Sequence, residues 1–353
     1  MKKLLVFAAL AAVSALSGCG SKPQLRIFGW ADYYSPDVIK SFELKYNCDV
    51  IVDTFDSNEN MYEALKAGGT FYDIINPSSY HVDRLAKEGL IVELDRSKLP
   101  DVMANFDRSF APQVLDAEFK YSVPYAESYS GLCYLKSKVP TWVDIESWDA
   151  LDNPVFRGKT TLLDDIREVI GAGLIACGYD INSVNPDEIA AVVEKVNSWK
   201  KNSRKFDAES YKVEVPSGAS WVAHAYSFDT KQAIHGDPSE GIAPRKDIGF
   251  ALPKEGFPIS FDVLVIASTS QEPDLAHAFI NFMYDPENAR ANMEYIFGPM
   301  AVKPALETLD PEIKQLIVLD AETLKRGRLI KPISGQPGAI ELYKKAWKAI
   351  RDN

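Results

Sequence analysis

The stretch LRIFGWADYYSPDVIKSFELKYNCDVIVDT, residues 25–54, holds one complete strand–helix–strand unit. Residues 25–28 read as a strand. Ser35-Pro36 then supply an N-cap and a proline at the first helical position, a pair that starts helices. Val38, Ile39, Phe42 and Tyr46 follow on one helical face, and CDVIVDT, residues 48–54, returns as a β-branched strand. Such a unit argues for parallel pairing in an α/β lobe. The loop inside it is unusual. Turns favour Gly, Pro, Asn and Ser, yet Trp30, Tyr33 and Tyr34 crowd around Asp32 here.

The same rhythm continues outward. Ser57-Asn58 cap a second helix through Met61 and Leu65, and YDIINPS, residues 72–78, reads as a strand ending in a Pro-Ser loop. A helix over residues 82–88 and a strand LIVEL, residues 90–94, come next. Residues 130–261 have the same character, with Asn185-Pro186 starting a helix that aligns Ile189, Val192, Val193, Val196 and Trp199. VLVIAS, residues 263–268, is a strand, and helices are expected over 273–283, 286–296 and 339–350. Some 330 residues after the leader suit two lobes rather than one core. With no long linker, several strands should cross between them. The expected class is α/β: two lobes, each a mainly parallel sheet flanked by helices, joined by a hinge of crossing strands. The first lobe takes residues 25–125 and 262–303, the second 126–261 and 304–353.

The ends and the composition narrow the function. Lys2 and Lys3, the apolar run 4–16 and Leu16-Ser17-Gly18-Cys19 form a secretory signal over residues 1–18, too short to span a membrane. The box before Cys19 resembles the bacterial lipobox, which implies cleavage there, acylation of Cys19 and a tether over 19–24. Two acyl chains anchor a protein stably where one does not. Removing Lys2 and Lys3 moves the formal charge from −11 to −13, which disfavours nucleic acid and favours cationic ligands. Cys48, Cys133 and Cys177 share no CxxC spacing, and His81, His224, His235 and His277 no ligand spacing. Neither a metal nor a cofactor is expected. GxSxG, HExxH and phosphate-cradling glycine loops are absent, so nothing points to an enzyme. Carboxylates beside aromatics also occur in glycosidases, but no catalytic arrangement accompanies them.

Ligands of open α/β sheets bind outside the carboxyl ends of strands. Three loops qualify: residues 29–34, 77–80 and 164–168, with 260–262 at the crossover. These segments carry FGWADYYSPDVIKSFE (28–43), FDSNENMYEALKAG (55–68), YDIINPSSYHVDRLAKEGLIVELD (72–95) and LLDDIREVIGAGLIACGY (162–179). Together with the Asp262 segment, they make the chain resemble the spermidine/putrescine-binding proteins of bacterial polyamine ABC importers. The resemblance implies a two-lobed monomeric receptor on the extracytoplasmic face, closing over a polyamine and delivering it to an inner-membrane permease and its ATPase. By the same resemblance Trp30 and Tyr33 are wall aromatics, and Ser78 and Tyr80 the hydroxyl and aromatic of the second loop. Asp165 and Glu168 match an acidic pair, three apart on one helical face. Asp262 matches the central amine-binding carboxylate. Asp32 stands where putrescine-binding members tend to carry aspartate.

The chemistry asks for such a set. A polyamine is an extended polycation with an aliphatic spine, so it needs spaced carboxylates and flat apolar walls. Four methylenes are worth ~3 kcal/mol, whereas micromolar affinity takes about 8. Charge pairing and cation–π contacts of up to about 2 kcal/mol each must supply much of the difference. The chain also departs from the family pattern. Ser260 and Gly298 stand where aromatics are usual, His224 where a tryptophan is, Ile330 where a glutamine is, and Glu127 where an aromatic is common. Trp221, Glu127 and His224 are therefore expected to replace the missing contacts.

Overall fold

In the computed structural model, residues 22–236 and 243–352 are described; the leader and Cys19 lie outside them. The opening stretch folds as its pattern predicts. Strand β1 (Gln24–Gly29) pairs in parallel with β2 (Asp49–Thr54), and the helix Pro36–Tyr46 joins them. Leu25, Ile27 and Phe42 are buried, and Asn47 closes the helix in the left-handed conformation. The N-cap differs from expectation. Ser35 stands at that position, but its side chain caps nothing.

The remaining strands are β3 (Ile74–Ile75), β4 (Val123–Leu135), β5 (Thr160–Leu162), β6 (Ser203–Phe206), β7 (Val222–Tyr226), β8 (Ile248–Ala251), β9 (Phe257–Ile266) and β10 (Gly327–Leu329). They run in the order β2-β1-β3-β9-β4-β7-β5-β6, with β10 beside β9 and β8 beside β4. Pairing is parallel within β2-β1-β3 and β7-β5-β6, and antiparallel wherever β4 meets β7, β8 or β9. The thirteen residues of β4 reach roughly 40 Å. That length carries β4 through both lobes beside β9, from Val123↔Leu264 to Tyr129↔Ile259, with one register shift between Pro124 and Ala126.

Each lobe has its own apolar interior. Phe42, Tyr125, Phe279 and Met293 fill the first; Trp148, Ile170, Val196 and Trp199 fill the second. Three expectations need correction. YDIINPS keeps only Ile74–Ile75 as strand, and LIVEL contributes a single bridge, Ile91↔Ala267. After that bridge the Leu94 N–H bonds to the Lys120 carbonyl instead of continuing along the sheet. The helices Lys303–Thr308 and Pro311–Ile317 bury Leu306, Leu309 and Ile317 in the first core, not the second. The chain returns to the second lobe only later, where Ile330, Ile333 and the C-terminal helix Ala339–Asp352 pack beside Val196.

The aromatic loop after β1 is held by one buried amide. Asn292 accepts a bond from the Ser35 N–H (2.9 Å) and donates to the Tyr125 hydroxyl (2.7 Å), which donates to the Tyr33 carbonyl (2.5 Å). The C-terminal end of the loop is thus tied at two points to the helix Pro286–Ile296. A buried donor left without its partner costs about 1–3 kcal/mol. Asn292→Leu strands the Ser35 N–H, so it should lower unfolding free energy by about that amount in urea melts.

Candidate ligand-binding cleft

Between the lobes lies a cleft with about 620 Å³ of empty space, bounded among others by Trp30, Tyr33, Ser78, Tyr80, Asp165 and Asp262. Asp262 sits on β9 at the crossover. Its Oδ2 accepts from the Tyr33 hydroxyl at 2.6 Å and its Oδ1 from the Ser78 hydroxyl at 2.7 Å. Tyr33 comes from the loop after β1, and Ser78 from the loop after β3, bridged directly to Asp262. Ser78 is itself held by Asn58, which takes the Ser78 N–H (3.0 Å) and donates to the hydroxyls of Ser78 (3.1 Å) and Tyr80 (3.0 Å). This explains why an asparagine follows the Ser57 cap. It wires the helix Asn58–Ala67 to the cleft.

Asp165 and Glu168 enter from the second lobe. Asp165 N-caps the helix Ile166–Ala176, its Oδ1 accepting from the N–H groups of Arg167 (2.8 Å) and Glu168 (3.0 Å). That is the usual work of a capping aspartate, but its Oδ2 faces the Tyr226 hydroxyl at 3.3 Å. Glu168 accepts from the Ser130 hydroxyl at 2.6 Å. With Glu168 ionised, the single Ser130 proton goes to the carboxylate and the His224 Nε2, 3.1 Å away, donates to the Ser130 oxygen; with Glu168 protonated the directions can reverse. Burial depresses the His224 pKa to about 3, which keeps the ring neutral.

Asp165, Glu168 and Asp262 are 2–5% exposed. Their hydrogen-bond partners are hydroxyls and backbone N–H groups, and among the described residues no cationic side chain pairs with them. Even Arg167 turns away, to the Lys331 carbonyl and Asn182. Burial pushes Asp262 up to about 6, against the pull of Tyr33 and Ser78. Burial and the neighbouring Asp165 charge push Glu168 up to about 8, and burial raises Asp165 as well. A cleft with aromatic walls, whose buried acids feel Arg167 at a distance but form no ion pair with it, suits a cation.

A profile of the bacterial extracellular solute-binding proteins matches residues 37–317. The chain belongs to that family. The putrescine/cadaverine-binding protein of Pseudomonas aeruginosa is 33% identical to it over 359 residues, covering 99% of each chain. A solved Listeria monocytogenes structure, described as a spermidine/putrescine ABC transporter, superposes with a TM-score of 0.84 at 32% identity, over 93% of this chain and 98% of that one. The TpPotD lipoprotein of Treponema pallidum gives 0.80 at 29%, over 94% and 100%. The fold is therefore the α/β periplasmic-binding-protein fold. The family is one of extracytoplasmic solute carriers, not of enzymes.

For this family member, eight residues singled out in the sequence meet in the cleft: Trp30, Asp32, Tyr33, Ser78, Tyr80, Asp165, Glu168 and Asp262. Three others do not. Glu127 alternates with the cleft-lining Ser128 on β4, so it points to the opposite face, where the charge of buried Lys231 acts on it. His224 stands behind Ser130, two hydrogen bonds from the cleft. Trp221 precedes β7, whose other end carries the cleft residue Tyr226, and lies under the ammonium groups of Lys138 and Lys159.

The lost aromatic is restored by a residue that the sequence reading missed. Phe228 lines the cleft, its ring 5.5 Å from that of Tyr33. It occupies the space above Gly298: a Cβ there would lie 2.1 Å from the Phe228 ring. Ser260 lines the cleft opposite Ser128 and is not replaced by a ring in sequence. Asp56, Glu209, Tyr226 and Asp229 were also missed. The YSFD run of residues 226–229 was the available signal, repeating the aromatic-plus-acid content of the first loop.

The raised Glu168 pKa has a testable sign. Unfolded, this carboxyl ionises near 4.5; folded and empty, it holds its proton to about 8. The folded state binds more protons in that window, so the group's contribution to stability falls as pH rises through it. Glutamine does not titrate. Glu168→Gln should therefore gain at least about 1 kcal/mol over wild type between pH 5 and pH 8, read from ligand-free urea melts at both values. Parallel pH dependence in the two proteins would refute the assignment.

Proposed function

We propose that this protein is a lipid-anchored extracytoplasmic receptor that captures a polyamine, putrescine or a close relative, and hands it to an ABC permease for import. One observation carries the reading: three buried carboxylates share an aromatic-walled cleft and, among the described residues, form no ion pair. Asp262 holds one ammonium between Tyr33 and Ser78, and Asp165 with Glu168 receives positive charge from the second lobe. Trp30, Tyr33, Tyr80, Tyr226 and Phe228 wall the methylenes. The names of the relatives, which bind putrescine, cadaverine or spermidine, support the same ligand class. Among the described residues no group of His, Cys, Asp and Glu side chains is arranged to hold a metal ion, so an organic cation suits these acids better.

The ligand should also move protons. An ammonium beside Asp262 and Glu168 stabilises their ionised forms, so binding at pH 7 drives protons off the cleft. Affinity then rises as pH increases from about 6 to about 8.

Calorimetry on ligand-stripped protein with putrescine, cadaverine, agmatine, spermidine and spermine tests the reading. Micromolar or tighter binding of at least one is expected, with proton release visible as a heat that depends on the buffer. No heat with any of the five would sink it. Removing the Phe228 ring deletes one wall and a cation–π face, so Phe228→Ala should weaken binding about tenfold.

The anchor is tested separately. The TpPotD relative is a lipoprotein by name, in keeping with acylation of Cys19 here. Cys19→Ala should shift the protein from the membrane fraction to the soluble extracytoplasmic fraction. Equal membrane retention of both forms would contradict lipidation at that cysteine.

A further inference from the structure

Asp32, the carboxylate at the centre of the aromatic loop, already holds an ammonium, and the protein supplies it. Lys212, on the helix Tyr211–Ser217 of the opposite lobe, brings its Nζ to 3.2 Å from Asp32 Oδ2, 2.6 Å from Glu209 Oε2 and 3.7 Å from Asp229 Oδ1. An ammonium has three N–H donors and no acceptor; Asp32 and Glu209 lie within hydrogen-bond distance of it, and Asp229 adds its charge from 3.7 Å. All three line the cleft. Burial alone would lower the Lys212 pKa, but Asp229, Glu209 and Asp32 outweigh it and keep the group charged. The other Asp229 oxygen is engaged by the Tyr211 hydroxyl, which fixes one wall of this seat.

The two ends of the cleft therefore differ in kind. Among the described residues the inner carboxylates are buried and form no ion pair, whereas the Asp32 and Glu209 side chains at the mouth are 59% and 51% exposed and share one ammonium. A ligand ammonium placed at Asp32 would meet Lys212 as a like charge at contact distance. It would also find the nearest carboxylate oxygens in use.

We propose that Lys212 is a specificity-determining residue whose side-chain ammonium fills the outer amine position of the cleft, so that the protein accepts a diamine on its inner carboxylates and disfavours a triamine that would need Asp32. This rests on the polyamine reading. It also gives Asp32 a role other than direct ligand contact: the carboxylate holds Lys212 in place from across the seam.

The test is calorimetric titration at pH 8 of ligand-stripped wild type, Lys212→Met and Lys212→Arg with putrescine, cadaverine and spermidine. Lys212→Gln serves as a second neutral variant should the methionine form not fold. Lys205→Met is the control, because Lys205 pairs with Asp207 and Glu214 outside the seat. Wild type should bind a diamine at least about tenfold more tightly than spermidine. The neutral variants should lose that preference by about tenfold or reverse it, while Lys212→Arg and Lys205→Met keep it. Neutral variants that retain wild-type selectivity overturn the inference and leave polyamine binding standing. A wild type that prefers spermidine also overturns it, and one that binds none of the three overturns both readings.

Discussion

Asp165, Glu168 and Asp262 are buried together with no ion-pair partner among the described residues, Arg167 acting on the first two only at a distance, and the rest of the cleft is organised around that constraint. A carboxylate taken out of water must be protonated, paired or well hydrogen-bonded. Here hydroxyls do the holding. Tyr33 and Ser78 clasp Asp262, and Ser130 clasps Glu168 with His224 behind it. Hydroxyls orient these oxygens without cancelling their charge, and burial raises the pKa of all three acids. An arginine in the same place would have stabilised the empty protein and filled the site. Arg167 is close enough in sequence to do so, yet its guanidinium bonds to the Lys331 carbonyl and Asn182.

The fold makes this arrangement possible by running two long strands through both lobes. β9 carries Asp262 and Ser260, and its partner β4 carries Ser128 and Ser130. The floor of the cleft is therefore continuous sheet, with its backbone polar groups already paired. The walls arrive on loops and helix starts: 29–34 and 77–80 from one side, Asp165 and Tyr226 to Asp229 from the other. A rigid floor with walls on separate lobes lets the same residues open or close without breaking the sheet.

How much of this could be read from the chain follows the distance over which each feature is encoded. The strand–loop–helix unit at residues 24–46 was legible because its periodicity and Ser-Pro start are local. The eight cleft residues were legible through ordered motifs that place them in three strand-end segments and on β9. Features that depend on pairing across the seam were not. Phe228 restores a ring that Gly298 lacks, seventy positions later, and only the packed structure shows the two in one volume. Lys212 reads as an ordinary surface lysine until Asp32, 180 residues away, is brought against it. Glu127 fails for a simpler reason. It alternates with Ser128 on β4, so resemblance of position did not fix which face it uses. The helices Lys303–Thr308 and Pro311–Ile317 have amphipathic patterns that fit either core.

Closure can be considered as a balance between contacts that act in the empty protein and one term that opposes them. The Tyr33–Phe228 ring contact and the Asp32–Lys212 ion pair both join the lobes through the protein's own side chains. An exposed ion pair of this kind contributes about 0–1 kcal/mol, and an aromatic pair about 0.5–1.5 beyond its buried area. Against them stands the desolvation of the inner acids, which increases as the lobes approach. A cation bound to Asp262, Asp165 and Glu168, as proposed, would remove the opposing term. Only interactions that differ between open and closed forms can shift the equilibrium. On the proposed reading the buried carboxylates supply that difference, while Phe228 and Lys212 join the lobes independently of them.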